Sequence, residues 1–238
     1  MYELCLHIYA PAHTRPMLKK FQPVMGRAQR ILISTPKPCV DQVRALADQV
    51  APHAKVEIIG VSNTYNDWSG FLALFAKAKA DRLIFSNDSL INRRLMRKAD
   101  ITQLAGMVES ASRPSLIGEL DTGRVSVPVG EYSSTAWVSS FLFGMYLADG
   151  IDAQNLGRTL AAQCDTIPAQ TRDVFLNFLR QRRPGLLEAN PDGEGKLHAM
   201  YLERLLTHHA ATNQFDIVSQ YGGNWKRKVY RLIESKFL

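Results

Sequence analysis

The stretch VSNTYNDWSGFLALFAKAKADRLIFSNDS, residues 61–89, decides the fold of this chain. Its polar clusters, 63–67 and 86–89, each follow an apolar run of strand type, and an amphipathic segment over 68–79 separates them. The order predicts a strand, a loop, a helix, a second strand and a second loop. Ligands of open α/β sheets bind at the carboxyl ends of strands, so we expect both clusters to face one ligand.

The regions around this stretch repeat the alternation of strands and helices. Helical spacing of apolar residues occurs at 16–25 and 40–50, as it does at 68–79. This alternation indicates right-handed crossovers and a mainly parallel sheet covered by helices on both faces. The apolar runs that predict the strands are 3–9, 30–35, 55–61, 82–86, 115–120 and the weaker 125–129.

The second half of the sequence predicts helices. The apolar segment 136–148 is shorter than the roughly 20 residues that span a bilayer, and we interpret it as a buried helix capped by Ser134 or Thr135. We expect one domain over the whole chain, with an α/β core at 1–130 and a helical elaboration at 131–238. Further helices are expected at 156–164, 170–181, 196–209 and 225–236.

Composition indicates a single globular domain in a reducing compartment. The chain has 238 residues, of which 46% are hydrophobic and 21% charged, enough to bury one substantial core. Its three cysteines are widely spaced and form no CxxC pair, which argues against a disulfide framework or a structural zinc site. The first residues lack the features of a secretory signal, so we expect a cytoplasmic protein.

The net charge of +7 and the sequence pI of about 9.4 indicate an affinity for anions. Anionic lipid, nucleic acid and phosphorylated metabolites are all possible partners, and solvated helix faces are the alternative. No helix-turn-helix, zinc finger or interleaved basic and aromatic pattern occurs, so we expect no nucleic acid. The basic clusters are Arg93, Arg94, Arg97 and Lys98; Arg180, Arg182 and Arg183; and Lys226, Arg227 and Lys228.

The turn after the fourth predicted strand contains Asn87, Asp88 and Ser89. Many enzymes that use nucleotide sugars place a short acidic motif here, which holds a divalent cation against a diphosphate. Such cations prefer carboxylate oxygens, which only Asp88 supplies, and strand alternation directs Asn87 and Ser89 together and Asp88 away. An Asx-turn that caps a helix near residue 90 is the alternative interpretation.

The loop after the third predicted strand contains Asn63, Asn66 and Asp67. Their amide and carboxylate groups can pair with the hydroxyl groups of a ribose or with the edge of a base. Helix capping is the alternative, because Asp67 or Ser69 is a good N-cap for the helix that follows. Capping explains one of these polar residues but not all of them.

Asp121 follows the fifth predicted strand and is our candidate for a general base that activates a hydroxyl group. A structural turn aspartate is the alternative. His7, near the end of the first strand, is either a core histidine or part of a site. No zinc-ligand spacing of histidines, GxGxxG, GxSxG or phosphate-loop motif occurs, so we expect no organic cofactor and disfavour zinc enzymes, dinucleotide oxidoreductases, hydrolases and phosphate-loop enzymes.

Several blocks in order resemble the rhamnan synthesis protein F family of glycosyltransferases. They are ELCLHIYAP, RILISTP, the 63–67 loop, IFSNDS, GELD and the closing NWKRKVYRLIESKF. The Asn-x-Gly-Arg-Asp loop of that family matches at Asn63 and Asp67, while Tyr65 and Asn66 replace its glycine and arginine. The Asn-Asp-Ser turn of the family matches fully at residues 87–89, and its Gly-x-x-Asp block matches at 118–121.

The resemblance implies a GT-A-like, Rossmann-type transferase that acts at the inner face of the bacterial cytoplasmic membrane. The expected reaction moves a hexose, with inversion, from a nucleoside diphosphate sugar to a glycan or lipid-linked glycan of O-antigen, capsule or rhamnan. Asp121 would be the base, and Asn63, Asn66, Asp67 and the 87–89 turn would hold the donor.

The departing diphosphate must be neutralised, and two alternatives remain open for this step. Mg²⁺ or Mn²⁺ held near Asp88 is one, and a cationic side chain such as Arg93 or Arg94 is the other. The basic clusters suit peripheral contact with anionic membrane. A noncatalytic nucleotide-sugar or glycan-binding protein of the same fold is the main alternative function, and a basic RNA-binding domain is the third.

Overall fold

The computed structural model describes residues 1–92, 96–129, 132–148, 151–182 and 194–221, without the side chains of 122–127, 132–135 and 182. Its strands form one sheet of seven strands in the order β3-β2-β1-β4-β6-β5-β7 within this part of the chain. Of these strands, only β6 is antiparallel to its neighbours. The strands are β1 Tyr2–His7, β2 Ala28–Pro36, β3 Val56–Val61, β4 Arg82–Asn87, β5 Ser115–Val129, β6 Tyr132–Tyr146 and β7 Asp216–Ser219.

Helices cover both faces of the sheet, which confirms the predicted α/β class. Leu4 and Leu6 of β1 pack with helices α1, α2 and α4 on one face, while Cys5 packs with α3, α5 and α7 on the other, as strand alternation requires. The helices are α1 Thr14–Met25, α2 Val40–Val50, α3 Asp67–Lys77, α4 Lys98–Ser110, α5 Ala153–Cys164, α6 Ala169–Arg182 and α7 Glu194–Thr212. Short 3₁₀ helices span Pro11–His13, Lys37–Cys39 and Asp88–Asn92.

The chain reverses its direction of travel across the sheet between β1 and β4. From β1 it proceeds outward through β2 to β3, which forms one edge, and α3 then carries it back to β4 on the other side of β1. Such a reversal leaves a crevice between the carboxyl ends of the two strands, because the loops that follow them turn to opposite sides. The fold therefore places its crevice at the ends of β1 and β4.

The expected helix over 136–148 is wrong, because residues 136–146 belong to β6. This strand lies between β4 and β5 and is covered on both faces, so its run 141–145 contains no polar side chain and shows no alternation. Ser134 and Thr135 are consequently strand residues and not helix caps. The backbone N–H groups of Val138 and Ser140 donate to Thr207 Oγ1 and Glu203 Oε1 of α7, each at 2.9 Å.

Three other differences concern short or weakly patterned elements. The runs at 115–120 and 125–129 form one long strand, β5, which is interrupted by register shifts. The strand β7 and the helix α4 were not expected from the sequence pattern. The expected helix at 225–236 lies outside the described residues, and none of the described helices is both long and apolar enough to cross a membrane.

Gly144 of β6 lets α4 pack directly on the sheet, and this contact predicts a stability difference. A Cβ atom at Gly144 would lie 2.2 Å from Val108 Cγ2 of α4. We expect Gly144→Ala to lower the free energy of unfolding by about 1–3 kcal/mol, because the added methyl group overpacks the contact. Urea denaturation measures this change.

Gly106→Ala in α4 is the matched control, since nothing lies within 4 Å of a Cβ atom there. Alanine is the better helix former by about 1 kcal/mol, so this variant should be as stable as the original protein or more stable. Equal stability of the two variants would contradict the packing argument.

Candidate functional site

The candidate site occupies the crevice at the carboxyl ends of β1, β2 and β4. His7 is the last residue of β1, and it is the register partner of Ser34 in β2 and of Asn87 in β4. Parallel strands that end at the same level bring their terminal side chains to one edge of the sheet. These three residues therefore meet at the point where the strand order reverses.

The structure brings the two polar clusters of the 61–89 stretch together. Asn87 Nδ2 donates a hydrogen bond of 2.8 Å to Asp67 Oδ2, and Ser89 Oγ donates to Asn87 Oδ1. Asn87 and Ser89 thus lie on one side, as strand alternation predicts. The assignment of these residues to a ligand stays a prediction, but Asp67 and Asn87 do meet at the carboxyl end of the sheet.

Asp67 is not the N-cap of α3, and neither is Ser69. The N-cap is Asn66, whose side chain makes no capping bond, and Ser69 Oγ accepts a hydrogen bond of 2.7 Å from the backbone N–H of Tyr65. Asn66 has φ 50° and ψ −135°, a backbone conformation that costs on the order of 1–3 kcal/mol outside glycine. This turn leaves the Asp67 carboxylate to bond with Asn87 instead of with the helix.

His7 is a site residue that the sequence left undecided. Its ring is buried, with Nδ1 3.0 Å from Ser34 Oγ, while Nε2 has no hydrogen-bond partner. A Cβ atom at Gly70 would lie 2.1 Å from His7 Nδ1, so the backbone of α3 packs directly against the imidazole. Only glycine at position 70 permits this approach.

Two more buried polar atoms without a partner belong to elements that border the crevice. They are Thr35 Oγ1, near the end of β2, and Trp68 Nε1, in the first turn of α3. Buried polar groups are normally hydrogen-bonded, and exceptions concentrate where a ligand or catalytic step uses them. Together with His7 Nε2, these atoms are candidate ligand contacts.

Burial opposes charge on both His7 and Asp67. Burial lowers the pKa of His7, while the negative charges of Asp67 and Asp88 act in the opposite direction. Burial raises the pKa of Asp67, and the positive charges of His7 and Lys196 oppose that rise. Perturbed pairs of this kind are typical of functional sites, although structural ion pairs also show them.

The loop at 63–67 is held from outside by α5 and α7. Tyr65 Oη donates a hydrogen bond of 2.6 Å to Asp165 at the end of α5, and this bond raises the pKa of Tyr65 to about 12. The ring of Tyr65 packs on that of His198 at 5.1 Å between centroids. A Cβ atom at Gly195 would lie 3.1 Å from the carbonyl oxygen of Thr64, so the first turn of α7 rests on this loop.

Asp88 points away from Asn87 and fixes the turn after β1. Its Oδ2 accepts hydrogen bonds from Tyr9 N at 2.9 Å, from Ala10 N at 3.1 Å and from His13 Nδ1 at 2.9 Å. The Asx-turn interpretation does not describe this arrangement, because the partners lie far away in sequence. Asp88 connects the end of β4 to the loop that follows β1.

The described residues contain no ready-made cluster of metal ligands, and a cation near Asp88 stays a prediction. No group of three or more His, Cys, Asp or Glu side chains among them is arranged to hold a metal ion. Asp88 Oδ2 already accepts three hydrogen bonds, and Asn87 Oδ1 accepts one from Ser89. Mg²⁺ and Mn²⁺ at diphosphate sites take most of their ligands from water and substrate phosphates, so a metal ion at Asp88 would be held by the second carboxylate oxygen and by the bound ligand.

Asp121 lies at the same edge of the sheet but beside a different charge. Asp121 pairs with Trp137 of β6, whereas Ser86, near the end of β4, pairs with Leu142. Because β6 runs antiparallel to β4, Trp137 and Asp121 lie beyond the carboxyl end of β4. The guanidinium of Arg204 stacks over the Trp137 ring at 3.8 Å. Burial lowers the pKa of Arg204 to about 10, and the charges of Glu203 and Asp121 oppose this decrease.

The remaining predicted residues lie on the rim or outside the described part. Asn63 is exposed at the start of the loop, and Asn66 is half-buried at the turn into α3. Arg93 and Arg94, with the basic clusters at 183 and 226–228, lie outside the described residues. Lys196 was not expected at the site, because its place in a helix after residue 194 shows no connection to the 61–89 stretch.

Comparison with known proteins gives only distant structural likenesses. No family model matches the chain, and no curated protein matches it. One similar solved structure is 4-diphosphocytidyl-2C-methyl-D-erythritol synthase from Anaerococcus prevotii, at 6% identity and a TM-score of 0.48, covering 75% of this chain and 84% of that one. Another is 2-C-methyl-D-erythritol 4-phosphate cytidylyltransferase from Thermus thermophilus, at 13% identity and a TM-score of 0.39, covering 91% of this chain and 88% of that one. At these identities and TM-scores, the likeness does not extend to an activity.

The contact between Gly70 and His7 predicts a coupled effect of two substitutions. Gly70→Ala should destabilise the protein by about 1–3 kcal/mol, because the new methyl group must displace the imidazole. In a His7→Ala background the two shortest contacts are gone and the one with Ser34 Oγ, at 2.7 Å, remains, so the cost should fall but not vanish. Urea denaturation of the two single variants and the double variant measures this coupling, and strict additivity would contradict the contact.

The half-buried Asp67 carboxylate predicts a pH-dependent gain in stability for Asp67→Asn. Because the folded-state pKa of Asp67 is raised, its charge destabilises the protein above that pKa and has no effect when the group is protonated. Asp67→Asn should therefore be more stable than the original protein at pH 8, and the difference should shrink as the pH falls. Urea denaturation between pH 4 and pH 8 tests this, with the exposed Asp48→Asn as the control that should show no such trend.

Proposed function

We propose that this chain is a glycosyltransferase that binds a nucleoside diphosphate sugar in the crevice between β1 and β4. The observation that carries the proposal is the meeting of His7, Asp67 and Asn87 at the point where the strand order reverses. Open α/β sheets bind nucleotide-type ligands at such points, because the crevice there is concave and lined by strand-end side chains.

The side chains on this edge suit the sugar and base parts of a nucleotide. Asp67 Oδ2 accepts a hydrogen bond from Asn87 Nδ2. The second carboxylate oxygen of Asp67 can accept a hydrogen bond from a ribose hydroxyl, and the second N–H of Asn87 can donate one. Asn63 is exposed on the same loop and can reach a base edge or a second hydroxyl. The buried atoms His7 Nε2 and Thr35 Oγ1 can bond to a ligand that enters more deeply.

In the proposed reaction, an acceptor hydroxyl oxygen attacks the anomeric carbon of the donor from the face opposite the diphosphate. The bond between that carbon and the diphosphate oxygen breaks with its electron pair, and a base takes the hydroxyl proton. We assign the base role to Asp121, which lies at the same edge of the sheet as the crevice. The product sugar then has the inverted configuration.

The resemblance to the rhamnan synthesis protein F family supports a place in bacterial surface polysaccharide assembly. A glycan or lipid-linked glycan would be the acceptor, reached at the inner face of the cytoplasmic membrane. The exposed cationic side chains of Arg97 and Lys98 are charges that suit contact with anionic lipid.

A noncatalytic binding protein of the same fold is the second candidate. The observation that favours it is the position of Asp121 beside Arg204, since a carboxylate next to a buried guanidinium is often structural. The described crevice would then bind a nucleotide sugar without transferring it. The two candidates share the binding site and differ in turnover.

A ligand panel tests the proposed function. Sugars of UDP, GDP, TDP and CMP are added with and without Mn²⁺, and we expect one nucleotide class to raise the melting temperature, because it binds only the folded state. Asp67→Asn should remove that shift although the variant is folded, and the exposed Asp48→Asn should keep it. The proposal is wrong if no nucleotide sugar raises the melting temperature of the original protein, or if Asp67→Asn shows the same increase.

Release of nucleoside diphosphate in the presence of a lipid-linked acceptor then separates the two candidates. We expect turnover that Asp121→Asn reduces by about 10²-fold or more while donor binding persists. Donor binding with no turnover across the panel identifies the noncatalytic protein.

A further inference from the structure

A departing nucleoside diphosphate develops negative charge, which the site must stabilise by a cation placed in advance. The crevice already contains the carboxyl groups of Asp67 and Asp88, which increase this requirement. Burial raises the pKa of Asp67, which means that a negative charge without a nearby positive charge is disfavoured at this position. A positive charge at the crevice is therefore needed for the proposed function.

The acidic residue of the 87–89 turn is a weak anchor for a metal ion, because one of its two carboxylate oxygens is already hydrogen-bonded. The Oδ2 atom of Asp88 accepts the backbone N–H groups of Tyr9 and Ala10 and the ring of His13. Freeing it would leave those donors unpaired in a half-buried loop, which costs about 1–3 kcal/mol for each unsatisfied group. No group of three or more His, Cys, Asp or Glu side chains among the described residues is arranged to hold a metal ion.

Two cationic side chains near the crevice already have partners. His13 is bound to Asp88, and Lys20 donates to the carbonyl oxygen of Leu90 at 2.7 Å. These side chains cannot turn to a diphosphate without losing a bond of their own.

Lys196 differs in both position and surroundings. It follows Gly195 in the first turn of α7, which rests on the carbonyl oxygen of Thr64 and beside Asn66. The packing of His198 on Tyr65 holds the same turn against the 63–67 loop. Lys196 is half-buried there, and its positive charge acts on the Asp67 carboxylate.

The nearest acidic neighbour on α7 is already neutralised. Glu194 forms an ion pair with Arg172 of α6, in which Arg172 Nη1 lies 3.0 Å from Glu194 Oε2. His198 Nδ1 contacts the carbonyl oxygen of the same residue at 2.7 Å. Glu194 therefore already has a cationic partner, while the charge of Lys196 acts on the Asp67 carboxylate.

We infer that Lys196 is the cation that binds the diphosphate of the donor and stabilises it as it departs, in place of a divalent metal ion. This inference rests on the proposed function and adds to it a named residue and a mode of charge neutralisation. In this arrangement the first turn of α7 packs on the 63–67 loop and holds Lys196 beside that loop. Asp88 has a separate structural role, since its hydrogen bonds fix the turn after β1.

The experiment compares phosphate-dependent and phosphate-independent binding in EDTA. The probes are UDP, GDP and TDP, each paired with its nucleoside, and the affinities are measured by isothermal titration calorimetry. The variants are Lys196→Met, Lys196→Arg and, as the matched control, Lys79→Met, an exposed lysine at the amino end of β4. Thermal melting without ligand checks that each variant is folded.

We expect the original protein to bind one diphosphate in EDTA and Lys196→Met to bind it about tenfold or more weakly, because a charge-assisted hydrogen bond is lost. Affinity for the nucleoside should not change, Lys196→Arg should retain most of the diphosphate affinity, and Lys79→Met should behave like the original protein. Equal diphosphate affinity in Lys196→Met, or binding that requires added Mn²⁺, would overturn the role of Lys196 while the proposed function stands. If the original protein binds none of the six probes with or without Mn²⁺, the proposed function fails, and this inference fails with it.

Discussion

The direct approach of α3 to the end of β1 is the constraint on which the rest of the site depends. Gly70 lets the helix backbone lie against the imidazole of His7, with no side chain between them. This contact sets the height of the first turn of α3 above the sheet. Asp67 in that turn then reaches Asn87 at the end of β4 and closes the gap between two loops that are 20 residues apart. A larger residue at position 70 would lift the helix and separate them.

The packing of α3 against His7 also lowers the stability of the folded protein at the crevice. A carboxyl group, an imidazole and several polar atoms without partners are buried near one edge of a sheet that is otherwise filled by aromatic packing. The Phe85 and Phe143 rings, for example, stack at 4.9 Å between β4 and β6. Natural proteins accept such local destabilisation where function requires it and compensate for it in the core. The backbone of Asn66 adds strain at the same place.

Much of the first half of the fold could be predicted from the sequence. In β1 to β4 and in α1 to α3, short strands and amphipathic helices alternate, and each carries its own local periodicity. The 136–148 segment could not be assigned in this way, since a strand buried on both faces shows no alternation and its apolar run is equally typical of a buried helix. The four residues of β7 are too few for any pattern, and their strand conformation depends on pairing with β5.

The α/β class and the two polar loops can be recognised from the amino-acid sequence, because strand and helix periods and strand-end polar residues are local properties. The bond from Asn87 to Asp67, the turn of Asp88 to the loop after β1 and the place of Lys196 near Asp67 depend on how distant parts of the chain pack. These contacts join residues 20, 79 and 129 positions apart, from Asp67 to Asn87, from Tyr9 to Asp88 and from Asp67 to Lys196. Their formation depends on how α3 and α7 pack, and no local pattern along one chain encodes a distance between two packed helices.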